Sequence, residues 1–233
     1  DPSDEWRSYD LDANGNVISF TEVDKSDIGG TNQTFVTTYA YDSLDRLIRT
    51  TDNLGQSETY AYDSRNNRVR STDFKGNPTH FTYDGLNRLV QTALPLTDTG
   101  TGGGTVTNTI ITTQTWDNNS RLTAQTDANG HATTYAYDAL NRVVSQTRNP
   151  DDEWPSPGEV VTFAYDAAGN LTNRLMPGGL KWSARYTNDS RLLHEELRGT
   201  NGAAERVSDY AYFTSGPSIG LLRQVTDPRG LLH

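Results

Sequence analysis

Tyr41-Asp42-Ser-Leu-Asp45-Arg46-Leu47-Ile-Arg-Thr-Thr51-Asp52-Asn-Leu-Gly55-Gln-Ser-Glu58-Thr-Tyr60-Ala-Tyr62-Asp63 begins and ends on the same dipeptide, and two turn signals divide what lies between. The first turn is Tyr-Asp-x-x-Asp45, where the Asp42 carboxylate can accept backbone N–H bonds two residues on and the fifth position takes residues that tolerate left-handed backbone. The second is Asp52-x-x-Gly55, where glycine supplies the positive φ of a type I turn followed by a bulge. Between them, Arg46 to Thr51 and Glu58 to Tyr62 are rich in β-branched and aromatic residues, with period-two alternation near the Tyr-x-Tyr end. One pass through this stretch is therefore one β-hairpin.

The stretch recurs. Tyr-Asp stands at 41, 62, 83, 137 and 165, with Trp116-Asp117 in the same frame and degenerate copies opening at Leu11, Tyr186 and Tyr212, nine units in all. The basal period is 21 residues, and the longer spacings correspond to insertions of 9, 12, 7 and 5 residues. In every copy the distance from the Tyr to the following Arg-Leu-type pair is kept (Tyr83 to Leu89, Trp116 to Leu122, Tyr165 to Leu171), so the extra residues fall in the second half. In an up-and-down meander all second turns share one edge, which places the insertions, at about 24–33, 95–108, 148–158 and 197–204, on a single rim. Residues 1–233 are read as one repeat array, a fragment of a larger protein. The expected fold is all-β: tandem hairpins of about 21 residues forming a long, curled antiparallel sheet.

The unit Tyr-Asp-x-x-x-Arg-Leu-x-x-x-Thr-Asp-x-x-Gly-x-x-Thr-x-Tyr-x-Tyr-Asp, clearest from Tyr41 to Asp63 and from Trp116 to Asp138, resembles the YD repeat of the RHS (rearrangement hot spot) family. That resemblance implies a β-sheet spiralling into a hollow shell in a secreted or surface-held bacterial protein. In the family's toxins such a shell encloses a variable carboxy-terminal toxin domain; elsewhere YD repeats are linked to carbohydrate binding and adhesion. The partners implied are the rest of the same polypeptide shell, its toxin domain, and, as the alternative reading, glycans. Self-association through the sheet ends is expected where strand edges are left unpaired. Three departures from the consensus predict irregular turns: Asn67-Arg68 in place of Arg-Leu, Asn170 in place of Arg, and the loss of the Asp in the last two units.

Composition agrees with a thin sheet. Hydrophobic residues make up 33%, mean hydropathy is -0.73, and Tyr (12), Gly (20) and Pro (9) are prominent, so a conventional globular core is not expected. A net charge of -10 argues against nucleic acid and anionic membranes, and no apolar run approaches the ~20 residues of a membrane helix. With no Cys, thiol catalysis and cysteine–zinc sites are excluded.

No residue is nominated as catalytic, cofactor-binding or metal-binding, and a non-catalytic structural role is expected. Asp10-Leu-Asp12-Ala-Asn14-Gly15-Asn16 opens like a calcium loop but puts Thr21 where the closing Glu belongs, so it reads as a repeat turn. Asp227-Pro-Arg-Gly230 reads the same way. The Gly100-Thr-Gly-Gly-Gly104 tract lacks the Lys-Ser/Thr ending of a phosphate loop and is expected to be flexible. Trp116 and Trp182 are expected to pack against neighbouring Tyr across strands. Trp154, in the acidic, proline-rich insertion, is the candidate contact for a partner or glycan.

Overall fold

A computed structural model describes residues 6–24, 32–149, 159–215 and 219–226. Trp154, the candidate contact, lies outside the described residues, as do most of the 24–33 and 148–158 insertions and Asp227-Pro-Arg-Gly230.

The chain divides into two units, residues 1–114 and 115–233. In the first, strands β1 (Trp6–Leu11), β2 (Val17–Asp24), β3 (Gln33–Tyr41), β4 (Leu47–Thr51), β5 (Ser57–Tyr62), β6 (Arg68–Thr72), β7 (Pro78–Tyr83), β8 (Leu89–Thr97) and most of β9 (Val106–Trp116) pair in chain order, all antiparallel. The second contains β10 (Leu122–Thr126), β11 (Ala132–Tyr137), β12 (Val143–Arg148), β13 (Glu159–Tyr165), β14 (Leu171–Leu175), β15 (Lys181–Tyr186), β16 (Leu192–Arg198), β17 (Ala204–Tyr212) and β18 (Leu222–Thr226), again paired each to the next. A single 3-10 turn, Pro177–Gly179, is the only helical element among the described residues.

Register shows why the repeat alternates as it does. Cross-strand partners share a face, and Tyr60 sits opposite Ser71 while Thr59 sits opposite Thr72. One face thus carries the Tyr-x-Tyr rings opposite Ser or Thr, and the other carries Thr, Ala and Arg. Neither is covered deeply. Val23 and Ala184 are the only buried hydrophobic residues described, and Ser208 the only buried polar one. The accessible surface is 15448 Å², against about 10,500 Å² for a compact monomer of this mass. As the composition implies, stability rests on the hydrogen-bond ladder and cross-strand side-chain pairs, each pair contributing ~0.2–1 kcal/mol.

Two loop expectations are corrected. The insertion at 197–204 lengthens β16 and β17 up to a tight turn, 199–203, in which Gly199 N–H donates to Ala203 O (3.0 Å) and Gly202 N–H to Gly199 O (2.9 Å). The insertion at 95–108 likewise lengthens β8 and β9. Its glycine tract is not loose. Gly102 N–H donates to Lys75 O (3.0 Å), Asn77 Nδ2 donates to Gly100 O (3.3 Å), and any side chain at 102 would overlap the Gly76 backbone. The tract is glycine because it seats directly on a neighbouring turn.

Candidate functional site

The two turns of each repeat are one backbone structure. In the first, Asp42 N–H donates to Arg46 O (3.0 Å) and Asp45 N–H to Asp42 O (3.1 Å); in the second, Asp52 N–H donates to Gln56 O (2.9 Å) and Gly55 N–H to Asp52 O (3.1 Å). In both, the Asp Oδ1 accepts from the N–H groups two and four residues on. Only the occupant of the left-handed position differs. On the first-turn edge it is Gly15 (φ 88°), Asp45 (58°), Asn66 (66°), Asn87 (61°), Ser120 (60°), Asn141 (63°), Gly169 (92°) or Ser190 (63°). On the second-turn edge it is glycine, as at Gly55, Gly76 and Gly130. Polar side chains offset left-handed strain with local bonding; glycine avoids it.

What sets the first-turn edge apart is the residue after the left-handed position. Arg46, Arg88, Arg121 and Arg142 each reach back from Nε to Oδ2 of their own Asp, at 2.7, 2.7, 2.6 and 2.7 Å. At three of these turns the guanidinium then extends to the following repeat. Arg46 Nη1 donates to Asp63 O (3.0 Å) and Asn66 Oδ1 (2.9 Å), and Arg121 Nη1 to Asn141 Oδ1 (3.0 Å). Arg142 Nη1 donates to Asp166 O at 3.1 Å. These three guanidinium groups also lie over the next repeat's Tyr ring: Arg46 over Tyr62 (4.8 Å), Arg121 over Tyr137 (4.9 Å), Arg142 over Tyr165 (4.7 Å). That Tyr in turn donates its hydroxyl back to the preceding repeat's strand: Tyr62 to Leu47 O (2.9 Å), Tyr137 to Leu122 O (2.7 Å), Tyr165 to Val143 O (2.8 Å). At these three turns Tyr, Asp and Arg of the consensus are therefore one device that bolts a repeat to the next.

The expected irregularities are not found in the third, seventh and eighth turns, because an amide or hydroxyl can make the same bonds. Asn67 Nδ2 donates to Asp63 Oδ2 (2.9 Å) and to Asn87 Oδ1 (3.0 Å) of the next turn. Asn170 Nδ2 does so to Asp166 Oδ2 (2.9 Å) and Ser190 Oγ (3.1 Å), and Thr187 Oγ1 replaces the carboxylate as acceptor for Arg191 N–H (2.9 Å). The ninth turn does differ: it is longer, closed by Phe213 N–H to Leu221 O (3.0 Å). The calcium-like stretch is an ordinary member of the series, with Asp12 accepting from Asn14 N–H, Asn16 N–H and Asn16 Nδ2.

The bonding is visible in the carboxyl groups. Backbone N–H donation from the Arg four residues on, reinforced by its guanidinium, holds Asp84, Asp117 and Asp138 below the usual carboxylate range despite partial burial. At Asp12, Asp63 and Asp166 the Asn side chain is the main cause of the same lowering. All are anions with their lone pairs engaged, the opposite of a raised-pKa general acid.

The sequence reading named the turns but missed this linkage. The signal was present: an Arg four residues after most of these Asp residues, at a fixed distance from the next Tyr. Trp182 also departs from expectation. Its cross-strand neighbours are Arg174 and Leu197, and its indole N–H donates to Glu195 (3.3 Å).

Residues 41–78 and 116–153 match the RHS Repeat family. Among solved structures, TcdB2-TccC3 is similar over 95% of this chain and 16% of its own (TM-score 0.50, 13% identity). TcdB2-TccC3 without its hypervariable C-terminal region is similar over 97% and 15% (TM-score 0.50, 12% identity). A Photorhabdus luminescens Tc holotoxin pore is similar over 95% and 15% (TM-score 0.49, 13% identity). The chain thus spans about a sixth of the length of these structures. No curated protein matches it. Two stretches of the chain thus match the RHS Repeat family, and the copies that open at 11, 83, 165 and 186 are built on the same bonded turn.

Proposed function

We propose that the array is a non-catalytic length of wall in a β-sheet shell that encloses or displays a carboxy-terminal toxin or other effector domain of its own polypeptide, in a secreted or surface-held bacterial protein. The observation that carries this reading is the combination of almost no buried core with turns bolted repeat to repeat. A sheet so constructed resists separation of its strands without needing a packed second layer, which is what a wall requires and a folded enzyme does not. The fold-level likeness to TcdB2-TccC3, one structure of which is described as lacking a hypervariable C-terminal region, supports the same reading.

The test is limited proteolysis of the complete parent protein, with intact-mass measurement of what stays associated. A carboxy-terminal segment that survives protease while the shell is intact, and is digested once the shell is opened by denaturant, is the expected result. A segment digested at the same rate in both conditions would overturn containment.

A further inference from the structure

The aromatic face carries a departure beside a cleft. The residue two before the Tyr of each Tyr-Asp frame points to that face, and it is aromatic at Tyr9, Tyr39, Tyr60, Phe81, Tyr135, Phe163 and Tyr210. The fifth unit has the long side chain of Gln114 there. In the eighth unit it is Ala184, buried between Ser183 and Arg185 on β15. Two residues before it, Trp182 stands in a cavity of about 200 Å³ lined also by Arg174, Glu195, Glu196, Leu197 and Arg206.

The chemistry of that lining is uneven. Glu195 is already held, accepting from Tyr210 Oη (2.8 Å) and Trp182 Nε1 (3.3 Å), and Glu196 is paired with Arg198 (2.8 Å). The Trp182 donor is spent in the same contact. Arg174 and Arg206 are exposed, and neither has an ion-pair partner among the described residues. They stand in one cross-strand row, Arg174–Trp182–Leu197–Arg206, about 14 Å apart along the sheet at ~4.8 Å per strand. That both line one cavity means their long stems lean inward over Trp182 and Leu197. Two cations with no ion-pair partner among the described residues thus border one cleft beside Trp182 and Leu197, in a chain whose net charge is -10.

We propose that this cleft binds a carboxylate carried on a short apolar body, as presented by an acidic residue flanked by leucines on an extended peptide. The remaining hydrogen-bonding capacity of the site consists mainly of guanidinium donors, which match a ligand rich in acceptors. A neutral sugar, bringing as many donors as acceptors, is poorly matched because the site's carboxylates are engaged. The carboxylate takes both guanidinium groups and the apolar neighbours cover Trp182 and Leu197. This site is independent of the wall reading.

The test uses the full chain and fluorescence anisotropy of a labelled, amide-capped peptide, Ala-Leu-Glu-Leu-Ala, beside its Gln counterpart and a free-carboxylate Ala-Leu-Leu. Saturable binding of the Glu peptide, at least tenfold weaker for the Gln peptide and for Arg174→Gln/Arg206→Gln, is the expected result. Stronger binding of Ala-Leu-Leu would assign the site to a chain terminus in place of a side chain, with the same dependence on both arginines. No saturation by any of these peptides up to millimolar concentration would overturn the proposal. So would equal affinity for Glu and Gln peptides, or unchanged binding by the double variant. Both arginines are exposed, so the variant folds; an unchanged melting temperature confirms that its loss of binding is local.

Discussion

The two edges of the sheet use the same turn and have opposite tolerances. On the first-turn edge, side-chain bonds join turn 12–16 to 42–46, 42–46 to 63–67 and 63–67 to 84–88 in the first unit. In the second unit they join 117–121 to 138–142, 138–142 to 166–170 and 166–170 to 187–191. On the second-turn edge, turns 52–56 and 127–131 bond only within themselves among the described residues. All four insertions fall in the second half of a repeat, where the second turn lies. The difference teaches where a repeat can grow. Lengthening a first turn would move an Arg or Asn away from the following repeat and an Asp away from its own, whereas lengthening a second turn breaks nothing beyond it. The 95–108 insertion even adds a link, resting Gly102 on the 73–77 turn.

Acid tests the comparison most broadly. On the first-turn edge the carboxyls of Asp12, Asp42, Asp63, Asp84, Asp117, Asp138 and Asp166 titrate below their ordinary value of 3.8, as do Asp73 and Asp127 on the second-turn edge. A depressed folded-state pKa contributes stability that is complete above the unfolded value and is lost as pH falls through the folded one. The melting temperature is therefore expected to be flat from neutral pH down to about 5 and to drop steeply below 3.8, the first-turn edge losing its bonds together. A profile that declines evenly between pH 7 and 5 would contradict this.

Single substitutions sharpen it. Arg121→Ala removes a ring contact and the bonds to the 138–142 turn, contacts to the next repeat that together supply about 2 kcal/mol, or roughly 4–8 °C in Tm. His131→Ala, at the equivalent position of the other edge, is expected to stay within about 0.5 kcal/mol. Equal losses from the two would show that the edges do not differ. Smaller, at about 1 kcal/mol, is Tyr137→Phe, which deletes the hydroxyl bond to Leu122 O while keeping the ring under Arg121. Gly130→Ala, at φ 88°, should cost about as much through backbone strain alone, and denaturant unfolding of the two variants should show similar shifts in midpoint.

Much of this was legible in the residues themselves. Asp-x-x-Gly and the Asn or Asp at the fifth position announce their own backbone angles, because left-handed conformation is chemically selective; the hairpin series and its period are direct consequences. Which repeats' side chains meet is decided only in three dimensions. Arg46 and Asn66 are twenty residues apart and come together only once the intervening hairpin is closed. For the same reason, Asn67 and Asn170 read as losses of the consensus although an amide bridges the two turns as well as a guanidinium does. Insertions 95–108 and 197–204 read as loops because their Gly and Thr are common to loops and long hairpins alike.

The central claim, that first turns are bolted to one another while second turns such as 127–131 bond only within themselves, is tested most directly by inserting the same Gly-Ser-Gly-Ser-Gly segment at two places and measuring thermal unfolding of each chain. Placed within the 127–131 turn, it is expected to lower Tm by no more than about 2 °C, the cost of a longer loop. Placed within the 138–142 turn, it should lower Tm several times as far, since Asp138, Asn141 and Arg142 all lose their partners. Equal losses at the two sites, or a larger loss at 127–131, would contradict the account.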